Sequence, residues 1–185
     1  MRTVMLAPYR AVLFPLIALR RARAERRPGH EWRTWITPRI LLGGFLVASD
    51  VDALRNMGIG AVVNVSHELP DPVQQLAAAG IGYLRVPCWD MFAPGLAEAS
   101  EGVEFIAANI RAGKTVYVHC ASGVGRSVAL VLAYLVTCEG ADADAALADM
   151  KRKRPRVSLQ SNQRRFVDRF AAWRMQQAKL SGSAG

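Results

Sequence analysis

The residues best suited to chemistry follow a short apolar run at 115–119, which reads TVYVH. Cys120 comes directly after this run, and Arg126 follows six positions later at the start of a second apolar stretch. Gly123 and Gly125 lie between them. A strand that ends in a glycine-containing loop and leads into a helix directs several backbone N–H groups, and the positive end of the helix dipole, at one point. The spacing therefore predicts an oxyanion site at this loop.

Cys120 is placed to attack a phosphoryl group bound there. A thiol at a helix N-terminus has a pKa lowered from about 8.5 into the range of about 3.5–7.5, so we expect a thiolate near neutral pH. The planar fork of Arg126 binds two oxygens and stabilises their charge in the transition state. The two glycines would let the backbone approach the ligand where a Cβ would obstruct it. The residues expected to surround the phosphate are Ala121, Ser122, Gly123, Val124, Gly125 and Arg126.

A phosphocysteine mechanism also needs an acid for the leaving group, and Asp90 meets this need. It lies in a Pro- and Gly-bounded loop at 87–95 that can cover the mouth of the site. Asp90 would protonate the departing alkoxide and then activate the water that hydrolyses the intermediate. Ser127 would donate a hydrogen bond to the leaving sulfur. We expect His119 to orient the loop rather than to transfer protons.

The predicted strands and helices around these residues alternate along the chain. We predict strands within 39–47, 60–66, 81–88 and 115–119, and helices at 50–58, 71–80, 96–113, 126–140, 141–154 and 160–178. Such alternation is typical of an α/β sheet with helices on both faces. Glu68, just after strand 60–66, either faces the site or belongs to a capped loop, which is the interpretation we favour.

Length and composition are those of a globular domain with an appendage. The chain has 185 residues, of which 51% are hydrophobic and 21% charged. The three cysteines Cys88, Cys120 and Cys138 cannot all pair, and their spacing does not match a zinc site, so a reducing compartment is the simpler interpretation. Cys88 is either a small buried side chain or a disulfide partner for Cys120.

The net charge of +9 is concentrated at the two ends of the chain. Residues 1–39 hold nine arginines against two glutamates, residues 40–150 hold five basic and twelve acidic groups, and residues 151–185 hold ten basic groups against one aspartate. This asymmetry favours docking onto an anionic surface, although the basic run at 151–156 is equally typical of a solvated helix end. A nucleic-acid partner is disfavoured because the sequence has no aromatic-interleaved basic sheet or recognition-helix motif.

The first thirty residues form a basic, apolar leader. It is interrupted by Pro8 and Pro15 and falls short of the roughly 20 clean apolar residues that a spanning helix needs. A signal peptide is disfavoured because the small residues at 22–24 lie within an arginine cluster. We predict a membrane-surface helix whose arginines bind anionic lipid. The alternative is a helix packed on the domain or on a partner.

The order His119, Cys120, five residues, Arg126 and Ser127, with an aspartate 30 positions upstream of the cysteine, resembles the active site of the cysteine-dependent dual-specificity phosphatases in the protein tyrosine phosphatase superfamily. The chain is most similar to the phosphatidylglycerophosphate phosphatase branch, the mitochondrial tyrosine-phosphatase-like group. The similarity runs from about residue 32 to 173 and includes WITPRILLGG, GVEFI, VYVHCASGVGRS and RPRVSLQSNQRRFVDRF. Where the family's loop usually carries basic residues after the cysteine, this chain has Ala, Ser, Gly and Val.

The resemblance implies a central mixed, mostly parallel sheet flanked by helices, with neither metal nor cofactor. Residues 1–30 would then form a helical extension, 31–178 the catalytic domain and 179–185 a flexible tail. Gln163 matches a glutamine of the family's late helix, where it positions water in the second step or caps the helix.

The resemblance also implies a substrate, a phosphomonoester. The charge layout favours a membrane phospholipid such as phosphatidylglycerophosphate and a cytoplasmic enzyme peripheral to the inner face of the membrane. The alternatives are a tyrosine or dual-specificity phosphatase acting on phosphoproteins and an inactive phosphate-binding adaptor.

Overall fold

The computed structural model describes residues 6–26 and 30–182. The described residues form seven helices and five strands. The helices are α1 (Leu6–Glu25), α2 (Val51–Asn56), α3 (Val73–Ala78), α4 (Leu96–Arg111), α5 (Arg126–Cys138), α6 (Ala143–Lys153) and α7 (Ser161–Gly182), and the strands are β1 (Arg33–Thr37), β2 (Ile40–Gly43), β3 (Ile59–Asn64), β4 (Gly82–Arg85) and β5 (Thr115–His119).

The strands form one sheet in the order β1-β2-β5-β3-β4. β1 pairs antiparallel with β2, whereas the other three pairs are parallel. The predicted mixed, mostly parallel sheet flanked by helices is therefore confirmed. β5 lies between β2 and β3, so the loop that begins at Cys120 leaves the middle of the sheet at the carboxyl ends of its parallel neighbours, which is where open α/β sheets bind ligands.

The apolar side chains of β5 point to alternate faces, as strand geometry requires. Val116 and Val118 join the larger core under α4, α5, α6 and α7. Tyr117 points the other way into a smaller core with Leu54 of α2 and Leu76 of α3. Helices thus cover both faces of the strand that carries the reactive loop and hold its end in place.

β1 is an element that the sequence analysis did not predict. Of its five residues only Ile36 is buried, so the strand has little of the apolar pattern on which the prediction depended. β1 forms at the edge of the sheet because a tight turn at 38–39 folds it back onto the fully buried β2.

The leader helix α1 packs on the domain, which is the arrangement that the sequence analysis kept as its alternative. Ile17 and Ala24 are buried in a cluster with Trp32 and Phe45. Arg21 donates two hydrogen bonds to Asp50, at 2.7 and 2.8 Å. Among the described residues, no helix has the length and apolar content to cross a bilayer. Residues 1–5 and 27–29 of the leader lie outside the described residues.

The last helix is longer than predicted. α7 continues to Gly182, so it includes the first four residues of the segment that was expected to be a flexible tail. Residues 183–185 lie outside the described part of the chain.

Candidate active site

Three loops meet beyond the carboxyl ends of β3, β4 and β5. The backbone carbonyl of Cys88, after β4, accepts a hydrogen bond from the backbone N–H of His67, after β3, at 3.0 Å. The same carbonyl accepts a hydrogen bond from Nη1 of Arg126, at the start of α5, at 2.9 Å. One carbonyl therefore joins all three loops at the point where chemistry was predicted.

The thiol of Cys120 lies at the centre of this arrangement and is 3% exposed. The hydroxyl of Ser127 donates to its sulfur at 3.3 Å. Burial alone would raise the pKa of this thiol, but the charge of Arg126, the Ser127 hydroxyl and the backbone N–H groups of Ser127 and Gly123 outweigh burial and lower the pKa to about 7. A large fraction of Cys120 is thus a thiolate at neutral pH.

The backbone of the phosphate loop, residues 120–126, depends on one glycine in particular. Gly123 has φ +64°, and a Cβ there would lie 2.3 Å from the backbone of Gly43. We expected the loop glycines to make room for the ligand. At Gly123 the close neighbour is instead the end of β2, so this glycine lets the loop pack against the sheet. At Gly125 a Cβ would meet the side chain of Gln163.

Arg126 is buried and held by carboxylates on two loops. Its Nη1 lies 2.7 Å from Oε1 of Glu68, which is 1% exposed. Its Nη2 lies 3.2 Å from Oδ1 of Asp90. Burial alone would lower the pKa of Arg126, but Cys120, Glu68 and Asp90 together raise it, so the guanidinium stays charged beside the thiolate.

The loop that carries Asp90 is pinned to the start of α7. Nδ2 of Asn162 donates to the carbonyl of Met91 at 2.9 Å, and Nε2 of Gln163 donates to the carbonyl of Phe92 at 2.9 Å. Met91 adopts φ 66°, a left-handed conformation rare for a non-glycine residue. These contacts hold the carboxylate of Asp90 half exposed, at 56%, above Arg126.

Gln163 makes a hydrogen bond at the start of α7, as one of the two interpretations of this residue predicted. Its Oε1 accepts a hydrogen bond from the backbone N–H of Gln160 at 3.0 Å. The same side chain lines the cavity above Cys120. A role in positioning water stays a prediction.

His119 is fully buried and bonded to a residue that was not predicted. Its Nε2 lies 3.0 Å from Oδ2 of Asp71, whose side chain is also fully buried. Burial alone would lower the pKa of this imidazole, but the charge of Asp71 and its hydrogen bond raise it. The ring stacks on Tyr117 with centroids 5.2 Å apart. Away from the cavity and clamped on both sides, His119 has the surroundings of a residue that orients the loop.

A cavity of about 260 Å³ opens above the thiol. It is lined by Arg20, Asp90, Met91, Cys120, Ala121, Ser122, Val124, Gly125, Arg126, Ser158, Gln160 and Gln163. The structure thus brings together Cys120, Arg126 and Asp90 with most of the predicted loop. It adds Arg20 of α1, which we had assigned to a membrane-surface leader.

Arg154 is a second residue of the site that sequence reasoning missed. The run at 151–156 suggested a solvated helix end, but Arg154 is 1% exposed. Its Nε donates to the carbonyl of Gly123 at 2.9 Å and its Nη2 to that of Ser122 at 3.3 Å. Arg154 therefore supports the phosphate loop from within the protein. The only sequence signal was its place just before Pro155, where α6 had to end.

Glu68 and Asp71 were missed for a different reason. Glu68 was assigned to a capped loop and Asp71 to a helix start, yet each binds a residue of the phosphate loop or of the strand before it. Both follow β3, the parallel neighbour of β5, and acidic residues in that position were the available signal. Among the described residues, no group of three or more His, Cys, Asp or Glu side chains could hold a metal ion.

A family model agrees with this geometry. The model described as "Dual specificity phosphatase, catalytic domain" matches residues 40–171. The chain belongs to this family. It is a cysteine-dependent phosphatase of the protein tyrosine phosphatase superfamily, as the resemblance in its sequence predicted.

Two plant relatives of this phosphatase are named for lipid phosphate hydrolysis. Phosphatidylglycerophosphate phosphatase PTPMT2 of Arabidopsis thaliana is 32% identical over 88% of this chain and 72% of its own length. Phosphatidylglycerophosphate phosphatase PTPMT1 of the same plant is 33% identical over 85% of this chain, but the chain spans only 48% of that protein.

Solved structures with the same fold include those of PTPMT1 and Tk-PTP. The crystal structure of PTPMT1 has a TM-score of 0.73 and 25% identity, covering 80% of this chain and 99% of that one. That of Tk-PTP in its active form has a TM-score of 0.70 and 26% identity, covering 76% and 97%.

Proposed function

We propose that this phosphatase hydrolyses the phosphomonoester of a membrane phospholipid through a phosphocysteine intermediate at Cys120. The support for the nucleophile is the thiol with a pKa of about 7 at the floor of the cavity. The support for the lipid is the mixed cationic and apolar rim of that cavity, together with the names of the plant relatives.

In the first step the thiolate of Cys120 attacks phosphorus. An S–P bond forms as the P–O bond to the leaving group breaks. Arg126 holds two of the phosphoryl oxygens, because Glu68 and the Cys88 carbonyl fix its guanidinium in place. Asp90 gives its proton to the departing alkoxide, which leaves as an alcohol.

In the second step water attacks the phosphocysteine. The carboxylate of Asp90 takes a proton from that water while the S–P bond breaks and inorganic phosphate forms. The electron pair returns to the sulfur of Cys120, where the hydroxyl of Ser127, at 3.3 Å, stabilises the thiolate. Both steps use one carboxylate in alternate protonation states.

The Asp90 loop, of which Asp90 and Met91 line the cavity, carries the argument for a lipid. Trp89, Met91 and Phe92 of the Asp90 loop are exposed by 49%, 57% and 63%. Three large apolar side chains in four positions are unusual on a water-facing loop, and they suit contact with lipid. Arg20, on the α1 side of the same cavity, would lie beside anionic headgroups.

The outer face of α1 extends this surface. Val12, Leu16 and Leu19 lie at helical spacing on one face and are exposed by 64%, 49% and 48%. The opposite face, with Ile17, is buried in the domain. A helix that is fixed to the catalytic domain and apolar on its free side would hold the cavity at a membrane surface.

The deciding experiment compares kcat/KM for phosphatidylglycerophosphate in mixed micelles with that for phosphotyrosine and phosphothreonine peptides. The Cys120→Ser variant serves as the blank. We expect a preference for the lipid of at least about tenfold, worth about 1.4 kcal/mol. A preference for the peptides would make the chain a protein phosphatase, the role named for other relatives such as the dual specificity protein phosphatase Mpk3 of Drosophila melanogaster.

The nucleophile and the membrane surface have separate tests. Cys120→Ser should abolish turnover and still bind vanadate or phosphate, and full activity in this variant would exclude the mechanism.

The double variant Leu16→Ser, Leu19→Ser should lose binding to anionic vesicles while it hydrolyses a soluble aryl phosphate normally. Val73→Ser, at another exposed apolar position, is the matched control. Equal vesicle binding by the wild type, the double variant and this control would reject the membrane role of α1.

A further inference from the structure

A second, smaller cavity lies next to the one above Cys120. It has a volume of about 150 Å³ and is lined by Arg20, Arg23, Ala24, His30 and Arg156. Arg20 also lines the larger cavity, so one guanidinium borders both spaces. Apart from Ala24, every lining side chain is cationic or can become so, and among the described residues no carboxylate lines this space. We refer to it as the cationic cavity.

Arg156 is held rigidly at the edge of the cationic cavity. Its Nη1 is buried and has no hydrogen-bond partner among the described residues. Its guanidinium is fixed over the ring of Trp32, 5.5 Å from the centroid. A buried N–H without an acceptor costs free energy, so the fold keeps this guanidinium beside the cavity at an energetic cost.

The charges around Arg156 point the same way. Burial lowers the pKa of Arg156, and the nearby charge of Arg20 lowers it further. Arg21, which follows Arg20 in α1, differs from Arg20 because its guanidinium pairs with the carboxylate of Asp50 at 2.7 Å. Arg21 therefore has a carboxylate partner, whereas Arg20, one position earlier in α1, lines a space surrounded by like charges. Gathering like charges is unfavourable unless an anion occupies that space.

We propose that the cationic cavity binds the second, non-reacting phosphate group of a substrate whose first phosphate is cleaved at Cys120. This inference rests on the proposed function and narrows it. The substrate class is a phosphomonoester joined through a short linker to a further phosphate, such as a phospholipid headgroup that ends in a phosphate. Guanidinium forks suit phosphate oxygens, and Arg20 would contact both groups.

Two soluble probes isolate this second phosphate from any effect of acyl chains. Glycerol 3-phosphate carries only the monoester, whereas the deacylated headgroup glycerophosphoglycerol phosphate carries the same monoester and a phosphodiester. We would measure kcat and KM for both probes at fixed ionic strength with the full chain. The test variants are Arg156→Gln and, in case the loss of the Trp32 contact impairs folding, the exposed Arg23→Gln.

The matched control is Arg152→Gln, which removes an arginine of the same basic segment whose side chain is 71% exposed and pairs with Asp149. In the wild type we expect the headgroup probe to be preferred. Each test variant should reduce that preference about tenfold, mainly through a higher KM for the headgroup probe, and the control should retain it. An unchanged preference in both test variants would overturn the inference.

A wild-type protein that hydrolyses neither probe would contradict the proposed function rather than the cationic cavity. Calorimetry with inorganic phosphate on the Cys120→Ser protein would then decide the inference. Two binding events that fall to one when Arg156→Gln is added would support an oxyanion site that free phosphate can fill. A single event that Arg156→Gln leaves unchanged would overturn it.

Discussion

Arg126, the last residue of the phosphate loop, and Arg154, which packs against that loop, are both buried, yet their partners differ in kind. Arg126 lines the cavity and is bound by the carboxylates of Glu68 and Asp90. Arg154 does not line the cavity, and its described hydrogen bonds run to carbonyl oxygens and the hydroxyl of Thr34.

The two sets of partners give the two arginines different effects on the loop. Carboxylates keep the guanidinium of Arg126 charged and correctly oriented where a phosphoryl group would bind. The neutral acceptors of Arg154 cannot cancel its charge, and burial lowers its pKa to about 10, so it still remains protonated at neutral pH. We therefore expect Arg154 to stabilise the shape of the loop and Arg126 to act in its chemistry. Substitutions should separate the two roles.

The largest effect is expected for Arg126→Lys. Lysine keeps the charge but loses the planar fork, so kcat/KM for an aryl phosphate should fall about 10³-fold. The free energy of unfolding should change far less, because the ammonium can still pair with Glu68. Steady-state kinetics and urea unfolding on the same preparation test both statements. Near-normal kcat/KM would show that Arg126 needs only its charge, which contradicts the bidentate role.

Arg154→Met should act chiefly on stability. It leaves the carbonyls of Ser122 and Gly123 without their buried donor and should lower the free energy of unfolding by about 3 kcal/mol. Arg152→Met, two positions away on the exposed surface, should change it by less than about 0.5 kcal/mol. Urea unfolding measures both variants. Equal effects would mean that the buried contacts of Arg154 contribute nothing measurable.

The smallest effect concerns the pKa of Cys120. Alkylation by iodoacetate should rise with pH through a midpoint at about 7 and level off above it, since only the thiolate reacts. Ser127→Ala removes one hydrogen bond to the thiolate and should raise the midpoint by about one pH unit. A midpoint near the ordinary thiol pKa of about 8.5 in the parent protein would show that the loop does not stabilise the thiolate.

The same lowered pKa links folding to pH. The unfolded thiol holds its proton up to its ordinary pKa, whereas the folded one releases it at about 7. The stabilisation that this thiol gives the folded state is therefore fully present above the ordinary pKa, and it is lost as pH falls through about 7. Comparison with Cys120→Ser isolates this contribution.

Sequence analysis placed together those site residues that lie close along the chain or directly follow a predicted strand. Cys120 and Arg126 belong to one strand, loop and helix, and Asp90 follows a strand that the apolar pattern made visible. Glu68 and Asp71 needed the strand order, because nothing in the sequence says that β3 lies directly beside β5. Strand β1 escaped prediction because an edge strand with one buried residue has no apolar signal.

The mixed, mostly parallel pairing of the sheet was implied by the family resemblance. The residues themselves predicted the oxyanion loop and an α/β sheet with helices on both faces. These follow from contiguous residues, since backbone geometry, glycine and helix polarity act over a few positions. Which arginines are buried depends on the tertiary contacts. Arg154 and Arg152 stand two apart in one basic run, yet one is buried and the other exposed. The physical reason is that burial depends on contacts between distant segments, and Arg154 is buried because it meets β1 and the phosphate loop, more than a hundred and about thirty positions away.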